Sequence, residues 1–132
     1  MAGQLTIDTL RASSGVLATQ NGMTGVCKAW AKFQGGNGNT GGVILGSFNV
    51  SSVTVNGTGD YTVNFTTAMP DANYSAVANC WNGGTGAGQL ARSATAYYNS
   101  TASTSAVRVA TFVTTTNSIE NQLWVNVSVS GN

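Results

Sequence analysis

The chain has 132 residues and a mass of 13.4 kDa, which is the size of one domain and leaves no room for a second sizeable core. Only 7% of the residues are charged and the formal net charge is +1, so the chain lacks the basic patch that a nucleic-acid backbone requires, and no nucleic-acid binding is expected. No apolar run approaches the roughly 18 residues of a membrane span, so no membrane insertion is expected.

Residues 1–24 differ in pattern from the rest of the chain. Leu5, Ile7 and Leu10 are apolar, but polar and glycine-containing stretches follow them, so the segment is too interrupted for a packed unit. We predict a short N-terminal arm in which Leu5, Ile7 and Leu10 dock on a neighbouring chain, with a frayed terminus as the alternative. The segment lacks the basic start and apolar core of a secretory signal, which indicates assembly in a reducing cytoplasm.

A period-two alternation of side chains begins at Val26 and predicts a β-strand. One face of this strand is wholly apolar and is expected to point to the core; it carries Cys27, Ala29, Ala31 and Phe33. The other face mixes apolar side chains with two lysines and is expected to be partly exposed; it carries Val26, Lys28, Trp30 and Lys32.

The clearest hairpin signal lies at residues 53–66. Two β-forming runs flank residues 56–60, where the Asn56–Gly57 pair tolerates the positive φ angles of a tight turn. Further strands are predicted at residues 42–50, 74–81, 89–97, 106–114 and 122–129. About seven to eight short strands with Gly/Asn turns and no helical period predict an all-β fold, an antiparallel, jelly-roll-like β-sandwich over residues 25–132.

The side chains that catalysis requires are scarce. The chain has no histidine, which excludes Ser/His/Asp and Cys/His nucleophilic arrangements, and two cysteines cannot close a zinc site. Its four acidic residues fall in turns, loops or the arm: Asp8, Asp60, Asp71 and Glu120. We therefore predict a protein that is not an enzyme, with no catalytic residue, no metal and no cofactor. Cys27 and Cys80 lie in strand-like runs, which favours buried free thiols over a disulfide.

The aromatic residues are the candidate binding groups. Trp30 and Trp124 lie opposite the apolar faces of their strands, so they would be exposed in a monomer, which predicts a subunit interface. Trp81, Tyr97 and Tyr98 are candidates for stacking against sugar rings beside Asn and Thr hydrogen-bonding groups. Packing in the core or between subunits is the alternative for each, because large aromatic side chains dominate both environments.

Several segments resemble a domain common in bacteriophage tail-fibre proteins. The resembling segments are KAWAKF at residues 28–33, SFNVSSV at 47–53, NGTGDYTVNFTTAMP at 56–70, VRV at 107–109 and WVNVSV at 124–129. The resemblance covers about residues 26–130 and is most specific over residues 47–70. It implies a homotrimeric structural protein on the outside of the virion, which contacts the host surface and often a polysaccharide.

Three functions follow from this resemblance and the composition together. The first is a non-enzymatic tail-fibre or short appendage protein, whose arm binds other virion proteins and whose loops contact host-surface glycans. The second is a capsid or tail decoration protein that stabilises the virion. The third is a polysaccharide depolymerase tip, which the scarcity of carboxylates disfavours, since glycoside hydrolysis uses a pair of them.

Overall fold

The computed structural model describes residues 26–36, 41–83, 91–97 and 102–131, which form strands joined by turns and loops. The predicted arm with Leu5, Ile7 and Leu10 lies outside the described residues, as does Tyr98. Nine strands lie within the described ranges: β1 (Val26–Gln34), β2 (Val43–Phe48), β3 (Val50–Gly57), β4 (Asp60–Phe65), β5 (Ser75–Trp81), β6 (Arg92–Ala96), β7 (Ala106–Val113), β8 (Ser118–Ile119) and β9 (Trp124–Gly131). These ranges contain no helix long and apolar enough to cross a membrane.

The strands form two antiparallel sheets, and the predicted all-β sandwich is confirmed. Sheet A has the strand order β2–β1–β9–β5, and sheet B has the order β3–β4–β7–β6, with the two-residue β8 paired to β7. The first and last strands are therefore neighbours in the middle of sheet A. Within the described ranges β2 and β5 are the edges of sheet A, and each of them pairs with one strand of that sheet.

The core lies between the two sheets and follows the predicted alternation. Sheet A contributes the inward-facing set Ala29, Ala31, Phe33, Val125, Val127 and Val129, and sheet B contributes Tyr61, Val63, Phe65, Val107 and Val109. Phe33 and Tyr61 meet across the layers with their ring centroids 5.3 Å apart in an edge-to-face arrangement. The Tyr61 hydroxyl donates to the Gly35 carbonyl at 2.6 Å, so this buried phenol has a hydrogen-bond partner.

A β-bulge at Lys28 shifts the alternation at the start of β1. The pairing with β9 jumps from Cys27 opposite Ser130 to Ala29 opposite Val129, which leaves Lys28 as the extra residue. The predicted partial exposure of Lys28 is wrong, since the residue is only 3% exposed. Cys27 shares the row of Ser130, next to the inward Val129, so it lies on the outer face rather than on the predicted core face.

The predicted strand 42–50 is interrupted at Asn49, where the chain passes from sheet A to sheet B. Asn49 has a φ of +54°, a left-handed conformation that asparagine tolerates better than most residues. Its side-chain amide donates to the carbonyls of Lys28 at 3.0 Å and Thr67 at 3.1 Å, and its Oδ1 accepts from the Thr67 N–H at 2.8 Å. One side chain thus joins β1 of sheet A to the segment that follows β4 of sheet B.

The predicted hairpin at residues 53–66 forms from β3 and β4. Gly57 pairs with Asp60, so the turn itself consists of Thr58 and Gly59. Gly59 has a φ of +61°, and a β-carbon there would lie 2.7 Å from the Glu120 carbonyl oxygen. The turn therefore depends on Gly59, at the end of the loop, rather than on the predicted Asn56–Gly57 pair.

Both cysteines are free thiols. Cys80 lies beside Val125 and Cys27 beside Ser130, so the two are five residues apart along β9 and on opposite faces of sheet A. Burial raises the pKa of the Cys80 thiol to about 11. Cys80 is therefore protonated at neutral pH and packs as a small apolar side chain.

We predict that Asn49→Ala lowers the free energy of unfolding by about 3 kcal/mol, because the variant loses the side-chain hydrogen bonds and gains left-handed strain. Asn49→Gly is expected to lower it by about 2 kcal/mol, because glycine removes the same hydrogen bonds without that strain. Urea unfolding of the two variants and the wild type measures both effects.

Asn117 provides the matched control, because it also has a φ of +54° but is exposed and makes no side-chain hydrogen bond among the described residues. Asn117→Gly is expected to change stability by only a few tenths of a kcal/mol, and Asn117→Ala to lower it by about 1 kcal/mol. Equal losses at the two positions would contradict the role assigned to the Asn49 side chain.

Candidate functional site

The two outer faces of the sandwich differ sharply in chemistry. The outer face of sheet B is polar, and many of its side chains bond to one another. Asn64 Nδ2 donates to Ser52 Oγ at 3.0 Å and to Thr54 Oγ1 at 3.1 Å, and Asn56 Nδ2 donates to Thr62 Oγ1 at 2.9 Å. Such a face meets water well and exposes little apolar surface that a partner would cover.

The outer face of sheet A carries exposed aromatic side chains together with a few polar ones. Cross-strand pairing arranges its side chains in rows, because residues opposite each other in antiparallel strands lie on the same face. The first row is Phe48, Trp30, Ser128 and Val77; the second is Gly46, Lys32, Asn126 and Asn79; the third includes Trp124 and Trp81. All three tryptophans of the chain therefore lie on one surface, which makes this face the candidate functional site.

One end of this face is an aromatic end formed by Trp81, Trp124 and Lys32. The indole rings of Trp81 and Trp124 are nearly parallel, with an interplanar angle of 10° and centroids 6.3 Å apart. Lys32 Nζ lies 4.9 Å from the Trp124 ring centroid, a cation–π contact. Lys32 and Trp81 come from the strands on either side of β9, so Trp124 is held between a cation and a second indole.

This arrangement gives Trp81 and Trp124 different roles. Trp124 is half-buried, and its indole Nε1 is buried without a hydrogen-bond acceptor among the described residues, so it presents no polar group to a ligand. Trp81 is 46% exposed and stands on β5, which is an edge strand of sheet A among the described residues. Trp124 therefore supports Trp81, and Trp81 is the ring available for contact.

Two asparagines lie in the row next to the aromatic end. Asn126 Nδ2 donates to Asn79 Oδ1 at 2.8 Å, which uses the Asn79 oxygen as an acceptor. The Asn79 amide nitrogen makes no hydrogen bond within the described part of the chain, and Asn79 is exposed. The pair thus fixes the orientation of Asn79 and presents its two N–H donors beside Trp81 and Lys32.

The opposite end is an apolar end formed by Phe48, Trp30 and Val77. Trp30 is 42% exposed and Val77 is 65% exposed. The six-membered ring of Trp30 extends over Gly46, where a β-carbon would lie 3.3 Å from Cη2. The absence of a side chain at Gly46 therefore lets the Trp30 indole lie close to the sheet. Ser128 is the one polar side chain in this row.

Four charged side chains of the described residues form two ion pairs. Arg108 binds Asp60 with two hydrogen bonds of 2.9 and 2.5 Å, and Arg92 Nη1 lies 2.9 Å from Glu120 Oε2. Asp60 and both arginines belong to strands of sheet B. The described residues contain no group of three or more side chains that could hold a metal ion.

The structure regroups the residues that the sequence analysis had singled out. It places Trp30 and Trp124, which the sequence predicts at a subunit interface, on the same face as Trp81, which the sequence predicts to stack on sugars. Tyr97 is separate from them: its ring stacks on Tyr74 with centroids 5.9 Å apart, and its hydroxyl donates to the Tyr74 carbonyl at 2.7 Å. Tyr97 is thus held against the core rather than beside Trp81.

Lys32, Asn79 and Asn126 belong to the site although the sequence pattern did not single them out as site residues. Each of them is two residues from a tryptophan in its own strand, so period-two alternation already places it on the same face as that tryptophan. The missing information was the cross-strand register, which places residues from three separate strands side by side in adjacent rows.

The chain matches no family model, no curated protein and no solved structure.

We predict that Trp81 and Trp124 are energetically coupled. In a double-mutant cycle of unfolding free energies with Trp81→Val and Trp124→Val, the coupling is expected to be about 1 kcal/mol, because each single change already removes the shared ring contact. The same cycle with Trp30→Val and Trp124→Val is the control and is expected to be additive within about 0.4 kcal/mol. Additivity of the Trp81–Trp124 pair would contradict the stacked geometry.

We also predict an acid-dependent loss of stability through Asp60. The hydrogen bonds from Arg108 hold the pKa of the Asp60 carboxyl below its ordinary value of 3.8, although burial opposes the shift. The folded state thus favours the carboxylate, so this contribution is complete at neutral pH and is lost as the pH falls below about 4. Asp60→Asn is expected to cost about 2 kcal/mol at pH 7 and to flatten the decline of stability below pH 4.

Asp71→Asn is the control for this measurement, because Asp71 forms no ion pair among the described residues and the amide retains the Oδ1 that accepts from the Asn73 N–H. This variant is expected to keep the wild-type acid profile. Parallel pH profiles for the wild type and Asp60→Asn would show that the Asp60–Arg108 pair does not contribute in this way.

Proposed function

We propose that the protein is a non-enzymatic structural protein of the bacteriophage virion surface, a homotrimeric tail-fibre tip or short appendage that contacts a host-surface glycan. The observation that carries this proposal is the outer face of sheet A, which gathers all three tryptophans on one side of a sandwich whose other face is polar. The resemblance of residues 47–70 to phage tail-fibre domains supports the virion setting.

The aromatic end is suited to a sugar. A sugar ring has an apolar face of C–H groups, which packs on an exposed indole, and hydroxyls, which bond to amides and ammonium groups. Trp81 supplies the indole, supported by Trp124, and Asn79 and Lys32 supply donors beside it. A shallow, open face of this kind gives weak binding per subunit, which three copies on one trimer would strengthen through avidity.

The apolar end is suited to a second copy of the chain. Trp30 and Val77 expose apolar surface, and Ser128 is the one polar member of their row, so burial there would cost little desolvation of polar groups. Aromatic residues are enriched in the cores of subunit interfaces, where they supply much of the binding energy. We assign Trp30 to the trimer contact and Trp124, with Trp81, to the glycan contact.

A single set of variants tests both parts of this proposal. Light scattering of the full chain is expected to give about 40 kDa, three times the 13.4 kDa of one chain. Trp30→Ser is expected to yield monomers, whereas Trp81→Ser is expected to remain trimeric. On a panel of purified bacterial surface polysaccharides, Trp81→Ser is expected to weaken binding at least tenfold relative to the wild type, with circular dichroism to confirm folding.

The outcomes separate the alternatives. A monomeric wild type would contradict the trimer, and a wild type that binds no polysaccharide and no host cells would contradict the glycan contact. Cleavage of a polysaccharide would favour the depolymerase. Location of the protein between shell subunits in a virion reconstruction, with the outer face of sheet A buried there, would favour the decoration protein.

A further inference from the structure

We infer that the aromatic end of sheet A selects acidic polysaccharides, with Lys32 as the residue that determines this preference. This inference rests on the proposed function and adds the chemical class of the glycan. It is carried by the charge distribution on the outer face of sheet A and by the hydrogen bonds that orient Asn79.

Lys32 differs from the other basic side chains of the described residues. Arg108 and Arg92 are bound to carboxylates, and Lys28 is buried. Lys32 is exposed, and within the described ranges it contacts the Trp124 ring and no carboxylate. Its charge is therefore available to an anion that approaches this face.

Two of the three described carboxylates are paired with arginines, and the third lies far from Trp81 along the chain. Asp60 and Glu120 are bound to arginines of sheet B. Asp71 precedes β5 at Ser75, whereas Trp81 ends that strand, so about 20 Å of extended chain separates the two ends. The outward rows around Lys32 contain no acidic side chain, so an anionic group there meets no carboxylate of these rows.

The Asn79 amide also presents hydrogen-bond donors at this end. The Asn79 oxygen accepts from Asn126, and the two Asn79 N–H groups make no hydrogen bond within the described residues. Lys32 offers N–H groups only, and the Trp124 Nε1 is buried. Lys32 and the Asn79 amide thus supply donors beside Trp81, and such donors suit the oxygens of a carboxylate-bearing sugar.

The arrangement also suggests how a chain of sugars would lie. Trp81 and Lys32 stand on opposite sides of Trp124. A polysaccharide that crosses β9 would therefore stack one sugar unit on Trp81 and place the acidic group of a neighbouring unit at Lys32. An extended acidic polymer satisfies both contacts at once, whereas a single acidic monosaccharide satisfies one of them. The inference therefore concerns polysaccharides rather than free sugars.

The test uses the full chain and a panel of purified bacterial capsular polysaccharides, each in its native form and after chemical reduction of its carboxyl groups. For the wild type, reduction is expected to weaken binding about fivefold per site, and more in a trimer. Lys32→Gln is expected to bind native and reduced forms alike, and Lys32→Arg to keep the preference for the native form. Raising the salt concentration is expected to diminish that preference.

The results distinguish the inference from the proposed function. Equal binding of native and reduced polymers by the wild type, or an unchanged preference in Lys32→Gln, would overturn the inference. If Trp81→Ser nevertheless loses the polysaccharide binding that the wild type shows, the proposed function stands. If the wild type binds neither native nor reduced polymers, the proposed function and this inference both fail.

Discussion

The pairing of β1 with β9 is the constraint on which the rest of the structure depends. These strands occupy the middle of sheet A, and their register places Ala31 opposite Val127 and Phe33 opposite Val125, all facing the core. Because side chains alternate with a period of two, the same register places the indoles and Lys32 outward. A slip of β9 by one residue would turn Trp124 inward and expose the valines of β9, so core and candidate site are specified together.

Because few residues are charged, uncharged polar side chains supply much of the stability and solubility of this fold. Sheet B covers its outer face with amide and hydroxyl groups that bond to one another, and the Asp60–Arg108 pair lies among them. Sheet A exposes aromatic surface instead. A sandwich with one self-bonded polar face and one aromatic face has an evident side for contact, and we assign that side to the glycan and to neighbouring copies of the chain.

Much of the fold was predictable from local patterns. The alternation in β1 and β9 and the hairpin at residues 53–66 predicted strands that the structure confirms, because period two and turn residues are local properties. Two features were not predictable. The bulge at Lys28 depends on how β9 pairs with β1, and the turn at Asn49 depends on acceptors from both sheets. Each is decided by residues distant in sequence.

The candidate site, like the fold, was predictable from the sequence only in part. The sequence by itself determined that Trp30 and Trp124 face away from the core, because alternation within one strand is sufficient for that conclusion. Only the tertiary structure decided that Trp81 stacks on Trp124, that Lys32 lies over the same ring and that Tyr97 packs elsewhere. The physical reason is that a strand pattern specifies which face a side chain occupies, whereas its neighbours on that face come from the register between strands that are far apart in the chain.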